Sequence, residues 1–156
     1  MKKEYIIPIF VPHLGCPNEC TFCNQVKISG QQTNVKTKDV KETIEFYLKN
    51  FKDDSKYVEV AFFGGSFTAI DEKTQAELLE AANEYIKEGK VNSIRISTRP
   101  DCIDRATLKR LKKYHVKTIE LGVQSSNNYI LEKSKRGHTF EDVKKASKLI
   151  RLYGFK

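Results

Sequence analysis

Three observations predict a parallel α/β fold for this chain. Short apolar runs rich in β-branched and aromatic residues alternate four times with segments of helical period. The helical segments carry recognisable start or stop signals. The unusual loops, with clustered cysteines or paired glycines, each follow one of the apolar runs. Strand followed by helix, repeated in this way, gives right-handed βαβ units and a sheet of parallel strands.

Residues Ile6 to Val11 form the first expected strand, followed by a cysteine-bearing loop and a helix with Val40, Ile44, Tyr47, Leu48 and Phe51 on one stripe. Tyr57 to Phe63 is the second strand. Its helix, entered by Asp71 and closed by Gly89, buries Leu78, Leu79, Ala82, Tyr85 and Ile86. Ser93 to Ser97 is the third strand, and its helix runs from about Asp104 through Leu108 and Leu111 to Lys113. Thr118 to Val123 is the fourth. Asn127 to Leu131 reads as an extra helical turn. A last helix opens at Thr139, whose Thr-x-x-Asp pattern with Asp142 is a capping box, and reaches Tyr153-Gly154 through Val143, Ala146, Leu149 and Ile150.

The loops then share one address. The cysteine loop follows the first strand, Gly64-Gly65-Ser66-Phe67-Thr68 the second, Ser97-Thr98-Arg99-Pro100-Asp101 the third and Gly122-Val123-Gln124-Ser125 the fourth. All lie at carboxyl ends, where barrels and open α/β sheets alike keep their chemistry, and both architectures fit the pattern. Four units do not close a barrel. The chain is therefore expected to be an N-terminal part of a longer enzyme, or a half-barrel needing a partner. Its last strand should present an open apolar edge, and the chain alone should be a poor catalyst and a poor monomer.

At 156 residues and 39% hydrophobic content, one core is expected, with no repeats or low-complexity segments. The net charge of +8 is uneven: residues 101–156 hold 14 Lys/Arg against 6 Asp/Glu, while residues 1–100 hold 14 of each. A basic last third suits a polyanion such as RNA. Lys109, Arg110, Lys112, Lys113, Lys144, Lys145 and Lys148 equally suit the wet faces of amphipathic helices. No apolar segment follows Met1 and no run reaches membrane-spanning length, so a cytoplasmic protein with no membrane partner and no disulfides is expected.

Cys16, Cys20 and Cys23 carry the most specific chemistry, in the spacing C-x3-C-x2-C. Three thiolates are one fewer than a [4Fe–4S] cube takes, which leaves one iron open to a ligand other than protein. The alternative is structural zinc, with His13 completing a Cys3His set. Cys102 stands outside the spacing and reads as a small hydrophobe. His115 and His138 read as local hydrogen-bonding residues rather than ligands.

Taken together, the cysteine loop, Gly64-Gly65-Ser66-Phe67-Thr68, Thr98-Arg99-Pro100-Asp101, Glu120-Leu121-Gly122-Val123-Gln124-Ser125 and Arg136-Gly137-His138-Thr139 resemble the radical S-adenosylmethionine (SAM) domain of the Elongator catalytic subunit and its relatives. A wider circle, including oxygen-independent coproporphyrinogen III oxidase, shares the cysteines, the double glycine and the Gly-Val-Gln. The resemblance covers residues 13–139 and implies a partial TIM-like radical SAM barrel, truncated after about four βα units. It implies a [4Fe–4S] cluster on Cys16, Cys20 and Cys23, with the aromatic Phe22 just before the last ligand, and SAM chelated by the open iron. Gly64, Gly65 and Ser66 would lie at the methionine amine, Ser97 near the ribose, and Gln124 and Arg136 against SAM. Ser97 departs from the glutamate common in the family, which leaves the ribose position without its usual charge. Arg99 and Asp101 either line the site or pair with each other. The implied chemistry is one-electron cleavage of SAM to methionine and a 5′-deoxyadenosyl radical, with an external electron donor and tRNA as the expected substrate. The other readings are a radical SAM enzyme acting on a small molecule such as coproporphyrinogen III, and a non-catalytic metal-stabilised RNA-binding module.

Overall fold

The computed structural model describes residues 3–11, 20–23, 35–52 and 56–156. Four strands, β1 (Lys3–Val11), β2 (Lys56–Gly64), β3 (Ser93–Thr98) and β4 (Val116–Leu121), form one parallel sheet in the order β1-β2-β3-β4. Helices α1 (Thr37–Asn50), α2 (Glu72–Lys87), α3 (Arg105–Lys113), α4 (Asn128–Lys133) and α5 (Phe140–Leu152) lie between and after them, with 3-10 turns at Phe67–Ala69 and Pro100–Cys102. Strand order that follows chain order is what repeated right-handed βα units produce.

The expected start signals operate. The Asp71 and Asp104 side chains accept from the Thr74 and Thr107 amides at 2.9 and 2.7 Å, and Asn127 caps α4 through the Tyr129 amide at 2.9 Å. At α5 the Thr139 and Asp142 side chains cap each other's amides, the reciprocal arrangement that the sequence pattern suggests. The fourth strand starts and ends two residues earlier than its apolar run. His115 adopts φ 61° and turns the chain directly into Val116, while Gly122 N–H makes the last bond to β3, donating to the Thr98 carbonyl at 2.8 Å. A register shift between Ile94 and Arg95 absorbs the extra residue on β4.

The two faces of the sheet differ. Ile7, Ile9, Val58, Val60, Phe62, Ile94, Ile96 and Ile119 point to one side and form the core with helix residues such as Ile44, Leu79, Leu108 and Leu111. Alternate positions point to the other side, where β1 exposes Ile6 and Phe10 and the neighbouring strands carry charge. There Glu59, only 5% exposed, accepts from Ser93 Oγ at 2.8 Å and Arg95 Nε at 2.7 Å. Arg95 Nη1 reaches on to Glu120 at 2.6 Å.

The outer edge of β4 is not wholly bare. Lys156 N–H donates to the Lys117 carbonyl at 2.8 Å and its carbonyl accepts from Ile119 N–H at 3.0 Å, the pair of bonds that a parallel neighbour makes. Large exposed apolar side chains lie instead on β1 and on α1, α4 and α5, where Phe46, Tyr129, Ile130 and Leu152 face solvent. The expectation of an apolar β4 edge is corrected to that extent. Among the described residues no helix is long and apolar enough to cross a membrane.

Because Glu59 is buried against the Arg95 guanidinium, removing that cation should expose its desolvation cost. Arg95→Met should destabilise the protein by about 2–4 kcal/mol at neutral pH, and adding Glu59→Gln should restore most of the loss. Urea unfolding of the two single variants and the double variant reads this coupling directly.

Candidate functional site

At the end of β2 the chain must turn without a side chain. Gly64 adopts φ 107°, and a Cβ there would sit 2.6 Å from the Val11 carbonyl oxygen and 2.8 Å from the Phe10 ring. Glycine alone meets both demands. The next amide, Gly65 N–H, donates to that Val11 oxygen at 3.1 Å, so the double glycine ties the end of β2 to the end of β1. Ser66 is buried, and its hydroxyl bonds Thr98 Oγ1 at 2.9 Å and accepts from Arg99 N–H at 3.2 Å. Its side chain thus joins the second loop to the third, which leaves the accessible backbone of Gly64 and Gly65 at the rim. Thr68 adds a second tie, donating to the Cys102 carbonyl at 2.7 Å.

Arg99 and Asp101 pair with each other. The Arg99 guanidinium, 2% exposed, donates from Nε and Nη2 to the two Asp101 oxygens at 3.0 and 3.1 Å, and from Nη2 to the Arg136 carbonyl. That last bond carries the third loop to the segment after α4. His138 fills the space beside this group, with Nε2 3.3 Å from the Val123 carbonyl and Nδ1 3.8 Å from Asp101. Burial first, and then the Arg136 charge, hold its pKa below the ordinary histidine range. The ring is therefore neutral, and Nε2 is the donor to Val123.

Arg136 is the centre of the cluster. Lys135 at φ 54° and Gly137 at φ 78° turn the backbone sharply, so the Arg136 side chain points inward and is only 8% exposed. Its Nη2 donates to the Gly122 carbonyl at 2.6 Å, and its Nη1 approaches Cys20 Sγ at 3.7 Å. Nε is buried and has no hydrogen-bond partner among the described residues. A Cβ on Gly122 would lie 2.8 Å from Nη2, so glycine at that position admits the guanidinium. Gln124, two residues on, is exposed and takes φ 70°, a conformation uncommon for a residue with a side chain.

Cys20 is buried and Cys23 half-buried, on one turn closed by Cys23 N–H to the Cys20 carbonyl at 2.9 Å. Thr21 N–H donates to the Ser134 carbonyl at 3.1 Å, which fastens this turn to the segment that supplies Arg136. Phe22 is 52% exposed. Cys16 and His13 lie outside the described residues. Cys102 is half-buried in the 3-10 turn after β3, its amide donating to the Arg99 carbonyl at 3.2 Å.

Ser97 points to the charged face of the sheet and donates to Glu120 Oε2 at 3.0 Å. A carboxylate therefore stands beside Ser97 after all, delivered by the neighbouring strand at the register pair Ser97↔Glu120. Sequence reasoning missed Glu120 as a neighbour of Ser97, and it missed Thr98 as the hub of the Ser66 and Thr68 hydroxyls. Only the strand register, which fixes facing pairs, could have signalled the first.

The radical SAM family model matches residues 10–156. The chain belongs to the radical SAM superfamily. A tRNA uridine(34) acetyltransferase from Methanocaldococcus jannaschii is 34% identical over 116 residues, 64% of this chain and 21% of that protein. The heme chaperone HemW of Bacillus subtilis is 27% identical over 159 residues, 99% of this chain and 40% of that protein. Among solved structures, the Elp3 protein of Methanocaldococcus infernus matches 100% of this chain and 37% of its own, with a TM-score of 0.67 at 24% identity. The chain thus spans between a fifth and two fifths of these relatives, and its four strands correspond to part of their TIM-like barrels.

Radical SAM membership implies SAM and an iron–sulfur cluster, and the donor set suits both. Cys20 and Cys23 offer soft sulfur donors from one turn, Gly64–Gly65 leaves backbone accessible, and the Arg136 guanidinium has a buried N–H with no partner among the described residues.

The role of Gly64 is open to a direct comparison. Gly89 also has a positive φ, 72°, but a Cβ there would meet nothing within 4 Å. Gly89→Ala should cost about 1 kcal/mol for the backbone alone, whereas Gly64→Ala should cost roughly 2–4 kcal/mol because it also collides with Val11. Urea denaturation midpoints of the two variants check the difference.

Proposed function

We propose that this chain is a radical SAM domain of the Elongator type, which binds a [4Fe–4S] cluster through Cys16, Cys20 and Cys23 and cleaves SAM for a reaction on tRNA. The observation that supports it most is the meeting of Cys20, Gly122 and Arg136 at the carboxyl ends of the strands, in a chain matched along nearly its whole length by the family model. Held by Cys16, Cys20 and Cys23 and reduced by an external one-electron donor, such a cluster would supply the electron for cleavage of SAM to methionine and a 5′-deoxyadenosyl radical.

The chain's own residues divide the remaining work. Gly64 and Gly65 present main-chain groups to the methionine amine, with Ser66 holding their loop against Thr98. Arg136, whose Nε has no partner among the described residues, offers its guanidinium to a carboxylate, and Gln124 offers both a donor and an acceptor from its exposed turn. Ser97, backed by Glu120, faces the ribose with a hydroxyl and a carboxylate acceptor. The edge of β4, where Lys156 makes two ladder bonds, is the place at which a further parallel strand, of a longer polypeptide or a partner chain, would complete the substrate wall.

The tRNA assignment rests on the acetyltransferase relative and on the basic last third of the chain. On α5, Lys144, Lys148 and Arg151 surround Phe140 and Val143 along a shallow groove, and α3 ends in Arg110, Lys112 and Lys113.

Anaerobic reconstitution followed by iron and sulfide counting tests the cluster. Close to four of each per chain is expected, unchanged in Cys102→Ala and lost in Cys20→Ala; stoichiometric zinc without labile sulfide would refute the assignment. Dithionite reduction with SAM should then yield 5′-deoxyadenosine. Binding of unmodified tRNA should weaken steeply with salt, and a flat salt dependence would remove tRNA from the proposal.

A further inference from the structure

We infer that Arg136 also acts on the cysteine itself: its Nη1–H donates to Cys20 Sγ, holding that sulfur in place and raising the reduction potential of the cluster it ligates. The inference rests on the radical SAM reading and adds to the SAM-binding role a tuning role toward the metal ligand.

Four features carry it. First, the contact is charge-assisted and buried: Arg136 is 8% exposed, Cys20 is 5% exposed, and they meet at 3.7 Å. Hydrogen bonds from an ionised donor are stronger than neutral ones, and burial removes the competing water. Second, the guanidinium cannot swing away cheaply. Nη2 is bound to the Gly122 carbonyl at 2.6 Å, and the Arg136 carbonyl is itself gripped by buried Arg99. Third, among the described residues Arg136 has no carboxylate as a hydrogen-bond partner, and its Nε has none. A buried cation held there by a carbonyl and a sulfur carries a desolvation cost, which the negative charge of a metal-bound sulfur would offset. Fourth, the backbone bond from Thr21 N–H to the Ser134 carbonyl brings the two segments together independently of the side chains.

The electrical consequence has a fixed sign. One-electron reduction of a [4Fe–4S] cluster, from the 2+ to the 1+ state, adds negative charge that is shared with its sulfur ligands, and the electron comes from an external low-potential donor. A guanidinium N–H at one of those sulfurs stabilises the reduced state more than the oxidised one. Arg136 therefore makes the cluster easier to reduce.

Two measurements test this, the first without any cluster. In the metal-free protein, alkylation by iodoacetamide at a pH well above the ordinary thiol range, where the thiolate fraction no longer separates the variants, read for each cysteine by mass spectrometry, should be slow at Cys20 and faster at Cys23. Under that condition Arg136→Gln should speed Cys20 on the order of tenfold, because a sulfur that accepts a charged hydrogen bond is the weaker nucleophile, and leave Cys102 unchanged. In the anaerobically reconstituted protein without SAM, an EPR-monitored redox titration should show the one-electron reduction equilibrium made less favourable by about tenfold in Arg136→Gln, roughly 59 mV more negative. Arg136→Lys should fall between, since it keeps the charge but loses the fork. Gly122→Ala keeps the arginine but crowds Nη2, and should shift the potential in the same direction. Variants that bind a full cluster at an unchanged potential would overturn the tuning role. Equal reactivity of Cys20 and Cys23, indifferent to residue 136, would overturn the contact. A wild-type protein with protected Cys20 that takes up no cluster would refute the radical SAM reading and leave the contact standing.

Discussion

A buried arginine sets the arrangement of the rim. Arg99 is 2% exposed, and a guanidinium taken so far from water is tolerated only when its donors are matched. Asp101 matches two of them from within the same loop, and the Arg136 carbonyl takes another from 37 residues away. The demand for partners thus pulls the segment after α4 across the ends of β3 and β4. With that segment in place, Arg136 reaches Gly122 and Cys20, and the Ser134 carbonyl meets the cysteine turn. One desolvated charge therefore connects three loops that belong to different βα units.

The sheet divides its labour in a related way. The helix-covered face is apolar and supplies the hydrophobic core, while the opposite face places Glu59, Arg95, Glu120 and Ser97 in a connected row. A buried ion pair in such a row is costly to break but adds little over a well-packed apolar replacement. Its value is geometric: Glu120 is held by Arg95 and Ser97 with both oxygens engaged, so its carboxylate is oriented before any ligand arrives. Preorganisation of this kind lowers the ordering cost of binding. The glycine pair acts similarly on the main chain, since the Val11 carbonyl fixes Gly65 in the one position that Gly64 permits.

Most of the fold was legible in the sequence because it follows from local rules. Asp71 and the Thr139–Asp142 pair cap their helices as their spacing suggests, and the apolar runs sit in the strands. The fourth strand was misplaced by two residues because Gly122 and Val123 continue its apolar pattern, while past the Gly122 bond to Thr98 the Val123 amide turns back to the Leu121 carbonyl. The candidate site was legible in part. Cysteine spacing and the double glycine are contiguous signals, and so they survive in a linear reading. The Arg99 bond to the Arg136 carbonyl, the Ser66–Thr98 tie and the Glu120 carboxylate beside Ser97 are not contiguous. They depend on register and on which donors burial leaves unmatched, and neither quantity is written in any short motif. Arg99 next to Asp101 suggested a local pair, which forms, but the reach of the same guanidinium to a distant carbonyl required the folded chain.

The central claim is that the loops at the carboxyl ends of β1 to β4 act as a single ligand-binding rim. Hydrogen–deuterium exchange on the reconstituted protein, with and without SAM, tests it most directly. The account predicts that SAM slows exchange together at the cysteine turn, at Gly64–Gly65, at Ser97–Arg99 and at Gly122–Gln124, while the opposite strand ends near Lys56, Ser93 and Val116 are unaffected. Protection confined to one of these loops, or appearing at the opposite ends of the strands, would contradict it.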